Sequence, residues 1–177
     1  GRDVFDGGAG GLDVVNYALE NGGGAIKVNL AEGRIVDTYG FVDKVTNIEH
    51  IIGTERADTF LGSSTAIYEA FTGGGGADII NGGGGTHNTV RYDNSYSYSY
   101  GVNVNLKGNS DGSGFGKILY YYNSDGPDVD KLIDIQDVIG TSSADTIVGS
   151  DQANVLTGLS GADRLEGGLG SDTVDYS

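Results

Sequence analysis

The chain has no cysteine, methionine or tryptophan, and only one proline among its 177 residues. Without cysteine there are neither disulfide staples nor thiolate metal sites. One proline excludes a polyproline linker. Basic side chains are also scarce: 10 lysines and arginines face 25 aspartates and glutamates, for a net charge of −15. Such a surface does not neutralise phosphates, which argues against nucleic acid and against adsorption to anionic membranes. No apolar run approaches the length of a membrane-spanning helix, so no membrane insertion is expected. No signal-peptide pattern opens the chain, which reads as an excerpt from a longer array.

Catalytic patterns are missing too. His50 and His87 are the only histidines, and neither lies in a His-Glu-x-x-His motif. The glycine runs 73–76 and 82–85 lack the Lys-Ser/Thr that completes a phosphate loop. No serine sits in a Gly-x-Ser-x-Gly elbow. No active site, and hence no enzyme activity, is expected from these residues.

What is abundant is glycine, 33 residues, clustered at regular intervals between short β-branched stretches. Four nine-residue units stand in tandem: Gly140 to Val148, Gly149 to Thr157, Gly158 to Glu166 and Gly167 to Asp175. Each has Asp or Asn at its sixth position and an aliphatic residue at its eighth. A further copy, Gly73-Gly-Gly-Gly-Ala-Asp-Ile-Ile-Asn81, stands mid-chain. The glycine half permits positive φ and close backbone approach. The Asp-x-aliphatic half supplies an oxygen ligand followed by an inward apolar side chain. Helix is not expected, because glycine interrupts nearly every window and no 3.6-residue stripe is sustained.

A longer repeat encloses the units. Asp43 to Thr54 recurs as Asp130 to Thr141, and Val28-Asn-Leu30 as Val104-Asn-Leu106. Val15-Asn-Tyr17 recurs as Val90-Arg-Tyr92 and Val174-Asp-Tyr176. The expected organisation is a first composite repeat over 1–80, a second over 81–166, and the start of a third over 167–177. A period near 80 built on a period of nine indicates a solenoid. Strands are expected at 14–17, 25–30, 34–38 and 45–52, with short ones after each unit's Asp. The extra residues of the second copy are expected in one projecting loop after Leu106, rich in Gly, Asn, Ser and Asp.

These units resemble the RTX nonapeptide, Gly-Gly-x-Gly-x-Asp-x-aliphatic-x, of secreted Gram-negative bacterial proteins. The resemblance implies an all-β fold, a parallel β-roll or β-solenoid with longer inserted strands and loops. Loop n stacks on loop n+2, and Ca²⁺ lies between them. It pairs Asp58 with Asp78, Asp145 with Asp163, and Asn154 with Asp172. It assigns lower-loop carbonyls to Thr54 and Arg56, Thr141 and Ser143, and Ser150 and Gln152. Upper-loop carbonyls come from Gly73 and Gly75, Gly158 and Ser160, and Gly167 and Leu169. Two to four ions are expected. Asn154 removes one carboxylate from its site. The unit slot 62–72 has no Asp, which leaves Asn88 without an obvious partner, and Asp13 and Asn88 are expected out of register.

The resemblance further implies a secreted, extracellular or cell-surface location after type I export. The expected role is structural: a calcium-binding module of a larger protein that folds on meeting Ca²⁺, with neighbouring repeats as its other partners. Alternatives are a carbohydrate- or surface-binding adhesin or matrix module, and a non-catalytic segment of an RTX enzyme such as an alginate epimerase, lyase or protease. Ser95-Tyr-Ser-Tyr-Ser-Tyr100 alternates strictly, so a strand there puts Tyr96, Tyr98 and Tyr100 on one face. That face is either a platform for polysaccharide or a ladder covering the solenoid flank. Self-assembly through open strand edges is a further expected partner mode.

Overall fold

Residues 1–65, 68–93, 100–107, 112–119 and 128–176 are described by the structure, a computed structural model. Among them there is no helix, and the chain is an all-β parallel β-roll with two walls. The middle residue of most short strands points inward between the walls, as a period of two requires. Val15, Ile51, Phe60, Ile80, Ile147 and Leu156 form this thin core, and Phe60 meets Phe71 edge-to-face with centroids 5.9 Å apart.

One wall has seven strands, all parallel: β2 (Val14–Asn16), β6 (His50–Ile52), β8 (Tyr68–Thr72), β10 (His87–Arg91), β14 (Asp137–Ile139), β16 (Val155–Thr157) and β18 (Thr173–Asp175). The other has eleven. Its roll strands are β1 (Val4–Asp6), β7 (Thr59–Leu61), β9 (Ile79–Asn81), β15 (Thr146–Val148) and β17 (Arg164–Glu166). Two antiparallel meanders are inserted among them: β3 (Lys27–Asn29), β4 (Arg34–Val36), β5 (Val42–Thr46), and β11 (Val102–Asn105), β12 (Gly114–Ile118), β13 (Val129–Ile133).

Each meander is laid down in reverse. The wide wall runs β1-β5-β4-β3-β7 and, in the second copy, β9-β13-β12-β11-β15. The chain skips ahead to place the first meander strand, then folds back twice until the third pairs in parallel with the roll strand it had left. Each meander adds two strands to one wall only. At about 4.8 Å per strand the wide wall gains roughly 10 Å per meander. In the first copy the opening between the turn at 46–49 and the segment around Ser63 and Thr65 is a cleft of ≈ 300 Å³, lined also by Tyr68 and Glu69.

Three expectations are corrected. The stretch 45–52 is not one strand: β5 ends at Thr46 and β6 starts at His50 on the opposite wall. Asn47 makes the corner with φ 54°, and Asp134 repeats it with φ 51°. Asn and Asp tolerate this left-handed conformation better than other non-glycine residues. The added residues of the second copy are not in one loop. They are shared between the β11–β12 and β12–β13 connections, both longer than those of the first meander. An isolated histidine is expected at a surface or turn, but His50 is buried, with Nε2 2.9 Å from Thr72 Oγ1. Tyr96 and Tyr98 lie outside the described residues, and Tyr100 is 42 % exposed.

Candidate metal centre

Parallel pairing stacks the residue before each strand directly over its counterpart. On the wide wall this makes a column of carboxylates. Asp78 Oδ1 accepts the amide of Asp58 at 2.7 Å, and Asp130 Oδ1 accepts the amide of Asp78 at 3.1 Å. Asp58 Oδ1 in turn accepts from Ile26 at 2.7 Å. Beyond the second meander the column resumes: Asp145 Oδ1 accepts from Val102 at 2.8 Å, and Asp163 Oδ1 from Asp145 at 2.9 Å.

The first glycine of each unit makes room for this arrangement. A Cβ on Gly53, Gly73, Gly140, Gly158 or Gly167 would overlap the Oδ2 of the Asp in its own unit. In the lower loops the same oxygen is held by a backbone amide, Thr54 to Asp58 at 2.6 Å and Thr141 to Asp145 at 2.7 Å. The upper loops turn differently. Gly74 and Gly76 have φ of 96° and 98°, and Gly168 and Gly170 have φ of 98° and 111°. Leu159 holds the corresponding conformation without being glycine, at φ 63°.

Backbone carbonyls line the space between stacked loops. Those of Thr54, Ser143, Ser150 and Gln152 lie against upper-loop glycines 74, 161, 168 and 170, and Arg56 lies under Gly76. From above, the carbonyls of Gly73 and Gly167 lie on Gly53 and Gly149. Thr54 also accepts the amide of Gly75 at 2.9 Å. Gly158, Ser160 and Leu169 stand in the matching upper loops, the last two exposed.

The narrow wall carries a second column, in which amides and glutamates replace most of the aspartates. Strand register aligns Asp13, Glu49, Glu69, Asn88, Gln136, Asn154 and Asp172. Glu49 Oε2 accepts from Asp13 at 3.0 Å, Gln136 Oε1 from Asn88 at 3.0 Å, and Asp172 Oδ1 from Asn154 at 3.1 Å. Asp13 and Asn88 are therefore in register, contrary to expectation, and Asn88 has partners. The slot without an Asp is filled by Glu69. Its carboxylate reaches back to the Ser63 amide at 2.8 Å, and a Cβ on Gly62 would overlap it. The longer side chain spans the longer loop.

Electrostatically the columns are strained. Asp58, Asp78 and Asp145 are each at most 2 % exposed. Burial raises the pKa of all three, and of Glu69, above the carboxylate norm. Asp78 is raised by burial first, then by the charge of Asp130, with Asp58 and Asp128 adding. Asp78 Oδ2 and Asn88 Oδ1 are buried oxygens without a hydrogen-bond partner among the described residues. Buried anionic oxygens lacking a counter-charge are costly. The donor set is carboxylate, amide and carbonyl oxygen, which suits a hard divalent cation. No three acidic or histidine side chains converge on one point among the described residues. A cation here would thus be held by carboxylates in pairs together with backbone carbonyls.

A family model, the RTX calcium-binding nonapeptide repeat, matches residues 71–86 and 139–174 in four copies. The chain carries RTX repeats. The matched segments hold the mid-chain unit and the tandem units, and not the meanders. Comparison with curated proteins gives no match. RTX repeats bind calcium, and the residues present fit that ion. The matched repeats are of a structural, calcium-binding kind. No helix among the described residues is long and apolar enough to cross a membrane.

The structure brings together each pair the sequence suggested: Asp58 with Asp78, Asp145 with Asp163, Asn154 with Asp172. Sequence reasoning missed Asp130, Glu49, Glu69 and Gln136. The only signal for Asp130 was that Asp-Lys opens both copies of the long repeat; Glu69 had none, lying outside any nine-residue unit.

Proposed function

We propose that this RTX chain is a calcium-dependent folding module of a larger secreted protein. Its role is structural: it stays expanded where calcium is scarce and closes into the roll outside the cell, after export by a type I system. The observation that carries this reading is the pair of buried columns, in which carboxylates of a chain with net charge −15 stack on one another's amides. Stacking like charges opposes folding unless cations bind between them. A cation that binds only the folded chain stabilises it by about 2.7 kcal/mol per site at a hundredfold excess over Kd.

The supporting ligand sets are Asp58 and Asp78 with the carbonyls of Thr54, Arg56, Gly73 and Gly75. Further along come Asp145 and Asp163 with Thr141, Ser143, Gly158 and Ser160. The last set is Asn154 and Asp172 with Ser150, Gln152, Gly167 and Leu169. Far-ultraviolet circular dichroism of the chain in EGTA and in millimolar CaCl₂ tests the reading. A change from disordered to β signal on adding calcium is expected, and a β spectrum unaffected by EGTA would overturn it.

A further inference from the structure

The few cationic side chains of this acidic chain are gathered on one surface. Six of the ten lysines and arginines, Lys27, Arg34, Lys44, Lys117, Lys131 and Arg164, lie on strands of the wide wall, and all six are exposed. Strand alternation puts them on a common side, because their neighbours Val28, Ile35, Val45, Ile118 and Leu132 are the buried ones. Only two acids take outward positions on these strands, Asp6 on β1 and Glu166 on β17, at the two ends of the wall. The acidic excess points elsewhere. Nine carboxylates are buried, Asp58, Asp78, Asp130 and Asp145 among them, and cations between the loops would offset that charge from within.

Strand register sets the spacing of the cations. Arg34 stands directly opposite Lys44, although like charges placed opposite destabilise a sheet pair. Lys117, Asn103, Thr146 and Arg164 follow one another across four adjacent strands. Thr59 and Ile79 separate Lys27 from Lys131 in the same manner. Glu32 pairs with Arg34 and Glu166 with Arg164, whereas Lys27, Lys44 and Lys117 have no ion pair among the described residues. Hydroxyl and amide groups thus alternate with positive charge. Strands of mostly three residues make the strip about 10 Å wide, and eleven of them make it about 50 Å long.

We propose that the outer face of the wide wall binds a linear anionic polysaccharide, with Lys27, Lys44, Lys117 and Lys131 meeting its acidic groups, a role beyond folding that needs only the closed roll. The shape of the strip selects the occupant. A nucleic-acid duplex overhangs it, since the major groove alone is about 12 Å across. Single strands are held by aromatic platforms, and Phe115 is the one aromatic side chain at an outward position of these strands. An anionic bilayer is a plane that would also meet the acidic remainder of a chain with net charge −15. A single extended polymer follows the strip, its acids near the lysines and its hydroxyls near Thr59, Asn103 and Thr146.

Isothermal calorimetry of the whole 177-residue chain in saturating calcium, against size-matched hyaluronate, dextran sulfate and neutral dextran, is the test. Binding to one or both anionic chains and not to dextran is expected, weakening as salt is added. Hyaluronate assigns the strip to carboxylates and dextran sulfate to sulfate esters. Replacing both Lys117→Gln and Lys131→Gln is expected to weaken binding about tenfold. Lys107→Gln, which removes a cation paired with Asp151 in the turn after β11, is expected to leave it unchanged. Circular dichroism checks that each variant keeps its β signal; if the double variant does not, Lys44→Gln alone decides, with an expected loss of about threefold. No binding to either anionic chain, equal binding to dextran, tighter binding to oligothymidylate of matched charge, or wild-type affinity in the folded lysine variants would overturn the proposal.

Discussion

The hydroxyl of Tyr92 donates to Asp130 Oδ2 at 2.9 Å, across 38 residues of sequence. Tyr17 makes the same bond to Asp43 Oδ2 at 2.8 Å in the first copy. Each bond joins the start of a composite repeat to the strand that returns from its meander, so it fastens the inserted sheet to the roll. The second copy makes room for it with Gly116 on the middle meander strand, where a Cβ would overlap the Tyr92 hydroxyl.

Tyr92→Phe should therefore destabilise the calcium-loaded chain by about 2 kcal/mol, the range for a buried hydrogen bond to a charged acceptor. Gly116→Ala should cost at least as much, since the ring must move and the bond is lost with it. Urea unfolding in saturating calcium measures both. Unchanged midpoints would remove the latch from the account of stability.

Gly73→Ala and Gly10→Ala separate two roles of glycine. At Gly73 a Cβ would overlap Asp78 Oδ2, so the carboxylate must leave its place, at a cost of about 1–3 kcal/mol and with weakened calcium binding. Gly10 has φ 78° and nothing near its Cβ direction, so its cost is about 1 kcal/mol of backbone strain with calcium affinity intact. Paired calcium titrations and denaturation curves give the contrast.

Asn154→Asp should act in opposite directions with and without calcium. Asn154 Nδ2 now donates to the Gln136 carbonyl at 2.6 Å and to Ser150 Oγ at 3.2 Å. A carboxylate forfeits those donors, at a cost of about 1–3 kcal/mol in the ion-free chain. It also completes a second carboxylate opposite Asp172, which should raise affinity at that rung roughly tenfold, since ligand charge sets calcium affinity. Isothermal calorimetry should show one tightened site.

In EGTA, acid should favour folding through the wide-wall column. The pKa values of Asp78 and Asp130 are raised, chiefly by burial and, at Asp78, by neighbouring carboxylates. A carboxyl whose folded pKa lies above its unfolded value of about 3.9 favours the folded state at low pH. That contribution is lost as pH rises from about 4 toward and past neutrality. Calcium should invert this dependence, because protons then compete with the ion. Circular dichroism against pH, with and without calcium, shows both slopes.

His50 works against that trend. Burial lowers its pKa from 6.5 to about 4, with the charge of Arg91 adding. Its neutral form in the fold is a stabilising contribution present above about pH 6.5 and lost as pH falls toward 4. His50→Gln should flatten the acid limb of the calcium-loaded stability curve relative to wild type. Identical curves would show that His50 opens to water before it titrates.

Much of the site was legible because a nine-residue unit carries its own geometry. Asp145 and Asp163 are 18 residues apart, one full turn of the roll, and their stacking follows from the repeat length. Glu69 was not legible, since the eleven-residue unit 62–72 breaks the count of nine and a longer side chain makes up the distance to Ser63. Asp130 was not legible either. Its place above Asp78 depends on two hairpin reversals, and a local pattern contains no information about the order in which meander strands are laid into a wall. The stretch 45–52 reads as continuous because Val45, Ile48, Ile51 and Ile52 are spread along it with no glycine or proline to mark the corner at Asn47, where φ is 54° and the chain crosses between walls.

The amino-acid sequence alone determined the roll, the inward aliphatic residues and the class of ion, because each is set within one unit by glycine φ, strand alternation and the chemistry of the Asp at position six. Only the tertiary structure decided which carboxylates are neighbours across the meanders. That depends on long-range strand register, and register is chosen by the packing of the two walls as a whole.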